Sequence, residues 1–144
     1  MTLALAIPFA LTVVIGSAAA HYEAIRALDR FARRATRPYP TLLVVISCLV
    51  GLHLLEIGAY ALLFSLSGGP LGLGAFQGAT PSSPMDYLYY AAEAYASLGY
   101  GDVYPTGDLR LIASIAPLNG ILLLTWSGSF LFSVVEDWRS RGGD

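Results

Sequence analysis

Three long apolar stretches divide the chain, and each is long enough to cross a membrane as a helix. They cover residues 2–20, 39–66 and 111–135. A membrane-spanning helix needs about 20 predominantly apolar residues. The first and third stretches contain no acidic, basic or histidine side chain, and the second contains only His53 and Glu56. The pattern therefore predicts three transmembrane helices.

A fourth apolar segment, at residues 87–96, is too short to cross a membrane. Ser83, Pro84 and Asp86 precede it, and this order is typical of a helix start, with serine as the cap and proline at the first helical position. Such a short helix is tolerated in a membrane only where protein or water encloses it. The segment predicts a re-entrant helix, and the Gly-, Ser- and Pro-rich residues 67–83 predict an irregular outer loop.

The arginines indicate how the chain is oriented. With three spans, seven of the eight basic residues fall on one side of the membrane. The positive-inside rule then places the N-terminus outside and the C-terminus in the cytoplasm, in a plasma (cell inner) membrane. Apolar positions at helical spacing continue past residue 20, so we expect an amphipathic stem there. The stem carries arginines suited to anionic lipid headgroups: Arg26, Arg30, Arg33, Arg34 and Arg37.

Composition narrows the class of protein. Hydrophobic residues make up 56% of the 144 residues and charged residues 12%, about half the charged fraction of a soluble domain. This argues against a soluble domain and against a disordered chain. The few basic residues argue against nucleic-acid binding. No Ser-His-Asp set, HExxH motif or phosphate loop is present in the sequence, so we expect no enzyme. The single cysteine, Cys48, is expected to be a small buried hydrophobic residue.

The residues after the re-entrant helix, SLGYGD at 97–102, are suited to binding a dehydrated cation. Removing water from a monovalent cation requires several oxygens at close range, and neutral carbonyls hold it weakly enough to release it. Successive carbonyls of a strand point to one side only if the backbone alternates in handedness. Gly99 and Gly101 adopt the left-handed values without steric cost. The spacing of these two glycines therefore predicts a strand lined with carbonyls.

This segment resembles the selectivity filter of the potassium channel family, whose signature is TVGYGD. The resemblance extends over about residues 39–138, and it departs from the family at Ser97, which replaces threonine, and at Leu98, which replaces valine. It implies a homotetramer around one passive, potassium-selective pore. It also implies that potassium ions are held by the filter residues Ser97, Leu98, Gly99, Tyr100 and Gly101.

The resemblance also assigns supporting roles around the filter. Glu93 lies where some family members carry a carboxylate behind the filter, and we expect it to hydrogen-bond Asp102; the alternative is an exposed glutamate at the rim. Six of the nine tyrosines fall within residues 87–104, and they fit either a cuff that braces the filter or an interfacial belt. We assign Tyr89, Tyr90, Tyr95 and Tyr100 to the cuff, and Tyr87 and Tyr104 to the belt.

The last apolar stretch has features of an inner helix. Pro117 and Gly120 are candidates for a gating hinge, and the alternative is a static kink that lets helices pack closely. Trp138 is expected to anchor the inner interface, and Arg110 to pair with Asp108. By alignment with the family, the cavity is lined by Ile121, Leu124, Thr125 and Gly128.

His53 and Glu56 form a polar pair inside the second apolar stretch. Ionisable residues within a membrane are functional hypotheses by default. The pair is suited to clamping the re-entrant helix by hydrogen bonds, to binding a metal, or to sensing pH through His53. His21 and Glu23 are the two further candidate ligands, and we expect them at the opposite membrane face.

Together these inferences predict an all-α membrane protein with three transmembrane helices, a re-entrant pore helix and a selectivity-filter loop, assembled as a homotetrameric pore. We divide the chain into an added N-terminal helix with its cytoplasmic connection (1–38), a pore domain (39–138) and a cytoplasmic tail (139–144). The pore domain comprises an outer helix (39–66), an outer loop (67–83), a pore helix (84–96), a filter (97–102) and an inner helix (110–138).

Two alternatives stay open. One is a weakly selective cation channel with the same architecture. The other is a non-conducting membrane protein that uses His53 and Glu56 for a metal or a partner.

Overall fold

A computed structural model describes residues 3–141 of the chain. Within this range the chain forms three long helices, one short helix and a short two-stranded sheet. In chain order the elements are α1 (Leu3–Arg34), α2 (Pro38–Gly68), β1 (Phe76–Gly78), α3 (Pro84–Tyr95), β2 (Val103–Pro105) and α4 (Leu109–Arg141).

The three long helices form a bundle of matched length. They contain 32, 31 and 33 residues, so each is about 48 Å long at about 1.5 Å per residue. α1 packs against both α2 and α4, and α2 also packs against α4. α1 runs without a break to Arg34, so the helix does continue past residue 20. α4 continues through Arg141, so the predicted tail is helical to that residue, and residues 142–144 lie outside the described range.

Two helices among the described residues, α2 and α4, are long and apolar enough to cross a membrane. Only 17% and 33% of their most apolar windows are buried within the single copy. The central helix of a soluble protein buries most of such a surface, so these helices present apolar faces to their surroundings. The first predicted span begins at Thr2, which lies outside the described residues.

Two apolar clusters hold the bundle together. The larger one joins all four helices and the sheet, and its centre is aromatic. The Tyr90 ring lies 5.0 Å from that of Phe64 and 4.9 Å from that of Phe76, both edge to face. Aromatic pairs prefer this geometry because the positive ring edge meets the negative ring face. The smaller cluster joins the other ends of the long helices, and Trp138 packs against it. Its buried members are Ala32, Val45, Leu49, Phe130 and Val134.

The outer loop is more regular than the sequence indicates. β1 and β2 pair antiparallel, with Gln77 opposite Tyr104. Gly78 has a φ of 81°, and a Cβ there would lie 2.0 Å from the carbonyl oxygen of Asp102. Only glycine permits this approach. The loop before the pore helix is therefore tied to the residues directly after the filter.

Cys48 is exposed rather than buried, so the expectation for this residue was wrong. The buried positions of this part of α2 are Val45 and Leu49, four residues apart on one face. Cys48 lies to one side of that face, on the surface that faces away from the protein.

The pore helix begins with a reciprocal cap, as the sequence predicts. The Ser83 hydroxyl accepts the Asp86 N–H, and the Asp86 carboxylate accepts the backbone N–H groups of Ser82 and Ser83, both at 2.8 Å. These backbone hydrogen bonds hold the pKa of Asp86 below its usual value. The cap fixes where the re-entrant helix starts, and hence where the filter lies.

Asp86→Asn should lower the thermal stability at neutral pH but not at strongly acid pH. Because the pKa of Asp86 is lower in the folded protein, its carboxylate stabilises the fold above the unfolded pKa, and this contribution is lost as pH falls through the folded pKa. The check is Tm in detergent for the protein and the variant between about pH 7 and about pH 2, which extends below the lowered pKa. A Tm difference that stays constant over this range would contradict the assignment.

Candidate functional site

The filter loop alternates in backbone handedness. Ser97, Gly99 and Gly101 have φ values of 58°, 62° and 80°, while Leu98 and Tyr100 between them do not have positive φ. The two glycines adopt these values freely, as predicted from their spacing. Residues 97–102 are all exposed on the single copy. The loop therefore has the backbone pattern that turns successive carbonyls to one side.

The left-handed conformation of Ser97 comes from the way in which the pore helix ends. The Leu98 N–H donates to the Glu93 carbonyl at 2.9 Å, and the Ser97 N–H donates to the Ala94 carbonyl at 3.1 Å. This pair of bonds is the Schellman motif, in which the residue after the cap is left-handed. Glycine usually fills that position, which is why the sequence did not indicate it. The alternation thus starts in the helix cap itself.

Glu93 faces the filter but does not bond Asp102, so that prediction was wrong. Glu93 is 4% exposed, and its Oε1 accepts the Gly101 N–H at 3.2 Å. The Asp102 side chain is exposed and instead accepts the Tyr89 hydroxyl at 3.0 Å. The two carboxylates point to different sides because one lies beneath the loop and the other at its outer end. Glu93 therefore holds the last filter glycine directly.

Of the tyrosines assigned to the cuff, Tyr89 contacts the filter loop, whereas Tyr90 and Tyr95 contact α2. Tyr89 bonds Asp102 and stacks on Tyr100, with ring centroids 6.5 Å apart. Tyr90 packs against the aromatic cluster of α2 and β1. Tyr95 points toward α2. The helix turns about 100° per residue, so Tyr90 and Tyr95 lie on faces turned away from Tyr89. Of the belt residues, Tyr87 packs on Phe76, and the Tyr104 hydroxyl donates to Gln77 at 3.3 Å.

The inner helix contacts the pore helix at Gly120. A Cβ on Gly120 would lie 2.0 Å from the Tyr95 carbonyl oxygen, which favours the close-packing interpretation of this glycine. Arg110 does not pair with Asp108; its Nε donates to the Gly107 carbonyl at 3.4 Å, because the turn before α4 brings that carbonyl nearer. The residues aligned with a cavity are all exposed on the single copy: Ile121, Leu124, Thr125 and Gly128.

A closed ring of hydrogen bonds lies behind the pore helix, and we call it the polar ring. His21 of α1 and His53 of α2 each bridge the Glu56 carboxylate to the Ser127 hydroxyl of α4. His21 Nδ1 lies 2.9 Å from Glu56 Oε1, and His21 Nε2 lies 3.1 Å from Ser127 Oγ. His53 Nδ1 lies 3.0 Å from Glu56 Oε2, and His53 Nε2 lies 3.0 Å from Ser127 Oγ. One polar ring thus joins the three long helices.

The polar ring is attached to the last residue of the pore helix. The Tyr95 hydroxyl donates to Glu56 Oε2 and lies 2.9 Å from His53 Nδ1. His53 and Glu56 are therefore in hydrogen-bonding contact with α3. Close by, the buried Asn119 amide donates to Ser17 Oγ at 2.8 Å, a second polar link between α4 and α1.

His21 was expected at the opposite membrane face, and that expectation was wrong. α1 continues to Arg34, so His21 lies about 20 Å from its end at about 1.5 Å per residue. His53 lies about 22 Å from the start of α2 at Pro38 by the same measure. Since α2 begins close to where α1 ends, the two histidines lie at about the same height along the bundle. Glu23 is exposed and pairs with Arg26, outside the ring.

Three residues of the polar ring are of the types that bind metal ions. His21, His53 and Glu56 are the group in the described part of the chain whose ligand atoms, within 4.8 Å of one another, lie close enough for a shared ion. Both nitrogens of each imidazole are already used in the ring, and the imidazoles bind opposite oxygens of the carboxylate. Metal ligands converge on one point. The observed geometry is that of a hydrogen-bonded ring.

Comparison with known proteins identifies the family. Residues 41–137, about two thirds of the chain, match a family described as "Ion channel". The chain belongs to this ion channel family. The match includes the filter loop and begins within α2, so α1 lies outside it. It confirms the family resemblance, and it is a channel family and not a family of enzymes.

One similar protein is an uncharacterized membrane protein, YdjJ, of Bacillus subtilis (strain 168). It is 34% identical to this ion channel family member over 71 residues, which are 49% of this chain and 21% of YdjJ. The chain thus matches about a fifth of that relative's length. No solved structure matches the chain significantly. The family and the apolar helices together identify a membrane protein.

Gly120→Ala should destabilise the protein, because the new methyl group would overlap the Tyr95 carbonyl. Overpacking of this kind costs about 1–3 kcal/mol. Gly128→Ala is the matched control on the same helix, since nothing lies within 4 Å of its Cβ. In detergent, Tm should fall for Gly120→Ala and stay the same or rise for Gly128→Ala. Equal Tm values for the two variants would refute close packing at Gly120.

Proposed function

We propose that this protein is a passive potassium-selective channel, in which four copies surround one pore and their filter loops hold potassium ions. The observation that carries the proposal is the alternating handedness at residues 97, 99 and 101. A loop of this form offers a row of carbonyl oxygens that replace the water around an ion. Glu93 supports the row from behind through the Gly101 N–H.

The exposed surfaces of the single copy support the assembly. Leu98 and Tyr100 are 55% and 65% exposed, although both lie in the loop that would bind the ion. An ion held by one such loop would keep most of its water, and only several loops around a common axis replace it. Ile121 and Leu124 of α4 are also exposed. In a tetramer these side chains line the cavity below the filter.

We also propose that α1 is a third transmembrane helix, with the N-terminus outside and the C-terminus in the cytoplasm of the plasma (cell inner) membrane. α1 matches α2 and α4 in length and packs against both. Its exposed apolar residues, such as Ile15 at 67%, fit a lipid-facing surface. Arg26 pairs with Glu23, and Arg33 pairs with Asp29. We therefore assign the contact with anionic lipid headgroups to Arg30, Arg34 and Arg37.

A weakly selective cation channel is the second candidate function. Leu98 favours it, because leucine is not β-branched and its side chain is therefore less rigid than the valine of the family signature. A filter that is braced less firmly keeps its oxygens at less fixed distances, and it then discriminates less between potassium and sodium.

Flux in proteoliposomes tests the proposal. We expect potassium flux several-fold above sodium flux, and we expect Gly99→Ala to abolish it, because φ at this position is 62°. Gly51→Ala is the matched control, since Gly51 is helical and nothing lies within 4 Å of its Cβ. Equal potassium and sodium flux would favour the second candidate. Absence of any flux above empty liposomes would refute both.

Glu93 variants test the support of the filter. Glu93→Ala removes the acceptor of the Gly101 N–H, whereas Glu93→Gln keeps an oxygen there. We expect potassium current through Glu93→Ala to decay faster after activation than through Glu93→Gln, in single-channel recordings. Two variants that behave like the unmodified protein would show that this hydrogen bond does not shape the filter.

A further inference from the structure

The polar ring contains four groups joined by four hydrogen bonds, and we call each of these hydrogen bonds an edge. Glu56 and Ser127 lie at opposite corners, and the imidazoles of His21 and His53 form the other two. All four edges measure between 2.9 and 3.1 Å. Each edge at that distance needs one proton between its two heavy atoms, since two lone pairs facing each other repel.

The four groups of the ring bring one proton too few for its four edges when both histidines are neutral and Glu56 is ionised. A carboxylate brings none, each neutral imidazole brings one and the serine hydroxyl brings one, so the uncharged histidines and Ser127 supply three protons for four edges. The fourth edge is closed only by one further proton, on an imidazole or on Glu56. In either position the ring as a whole is neutral. Without that proton, one edge is broken and a net negative charge is left in the interior, which is costly.

Within residues 3–141, no other charged group faces the ring to balance it. α1 contributes His21, and α2 contributes His53, Glu56 and the buried Tyr60, whose ring lies 6.1 Å from that of Tyr95. α3 contributes Tyr95, whose hydroxyl already donates to Glu56. The groups of α4 that face the ring are Ser127 and the Trp126 ring, 5.5 Å from His21. Among the described residues, the ion pairs of Glu56 are with the two histidines alone.

We propose that the polar ring is a specific binding site for one proton, and that this proton sets how firmly α1 is attached to the pore helix. The inference rests on the proposed channel function for its effect on ion flow, but the proton site itself does not. Loss of the proton opens an edge between α1, α2 and α4. Because Tyr95 is bonded to the same carboxylate, opening the ring loosens the end of the pore helix.

That end of the pore helix leads directly to the filter. Tyr95 is the last residue of α3, its carbonyl contacts Gly120, and the cap that follows it sets the handedness of Ser97. The first filter residue therefore lies two residues from the side chain that bonds the ring. We expect ion flux to fall as the pH rises and the ring opens.

Trp126 provides a readout that does not depend on ion flux. Its ring lies against His21, and indole fluorescence responds to the protonation and hydrogen bonding of an adjacent imidazole. Trp138→Phe removes the other of the two tryptophans. Tyr22→Phe removes a second titratable ring, 6.2 Å from Trp126. In this double-variant background, fluorescence should follow a one-proton titration, with the closed-to-open ratio changing about tenfold per pH unit. Potassium flux should change over the same pH interval.

Glu56→Gln is the decisive variant. An amide brings its own N–H, so a glutamine at this position closes all four edges with neutral histidines and needs no added proton. We expect this variant to keep its flux and to lose both the fluorescence titration and the pH dependence of flux. Glu23→Gln, an exposed change of the same kind on α1, should leave both unchanged.

The outcomes separate the two proposals. A titration that persists in Glu56→Gln overturns the proton site, and so does stoichiometric zinc in the purified protein with a fluorescence signal that responds to a chelator. A titration present in fluorescence but with flux constant across the same pH range overturns the coupling to the filter. If no pH supports flux, the channel proposal fails, while the fluorescence titration and its loss in Glu56→Gln still decide the proton site.

Discussion

The main constraint on this structure is that polar groups at the end of the pore helix are buried, so that nearly all of them are paired; among the described residues, Glu93 Oε2 is the exception there. An unpaired polar group in an apolar environment lowers the free energy of unfolding by a few kcal/mol, which is a large part of the stability of a typical protein. Three sets of hydrogen bonds, within a few residues of one another, pair these polar groups. Backbone N–H groups of the cap bond back to the helix, the Tyr95 hydroxyl bonds Glu56, and Glu93 accepts the Gly101 N–H. The filter is thus positioned by bonds on both of its sides.

The same constraint explains how α1 is integrated with the pore module. The family match begins at residue 41, so α1 is outside it. Glu56 of α2 is a buried carboxylate, and His21 of α1 supplies the partner of its Oε1. The Asn119 to Ser17 bond adds a second contact of this kind. Polar bonds of this type are specific to one register of the helices, whereas apolar contacts between them tolerate sliding.

Much of the architecture could be predicted from local sequence. The long apolar runs, the Ser83 cap and the two filter glycines are each encoded within a few residues, and each depends on backbone or solvation chemistry alone. Residues whose roles depend on distant parts of the chain were assigned wrongly. The direction of Tyr95 and the height of His21 depend on how three helices pack, and Ser97 takes a conformation that glycine normally signals.

Electron cryo-microscopy of the assembled protein in potassium would show whether the filter loops surround one pore. We expect a particle of four chains, with ion density on the fourfold axis between the backbone carbonyls of residues 97–100. A particle of one or two chains, or a tetramer whose axis does not pass through that loop, would contradict this expectation.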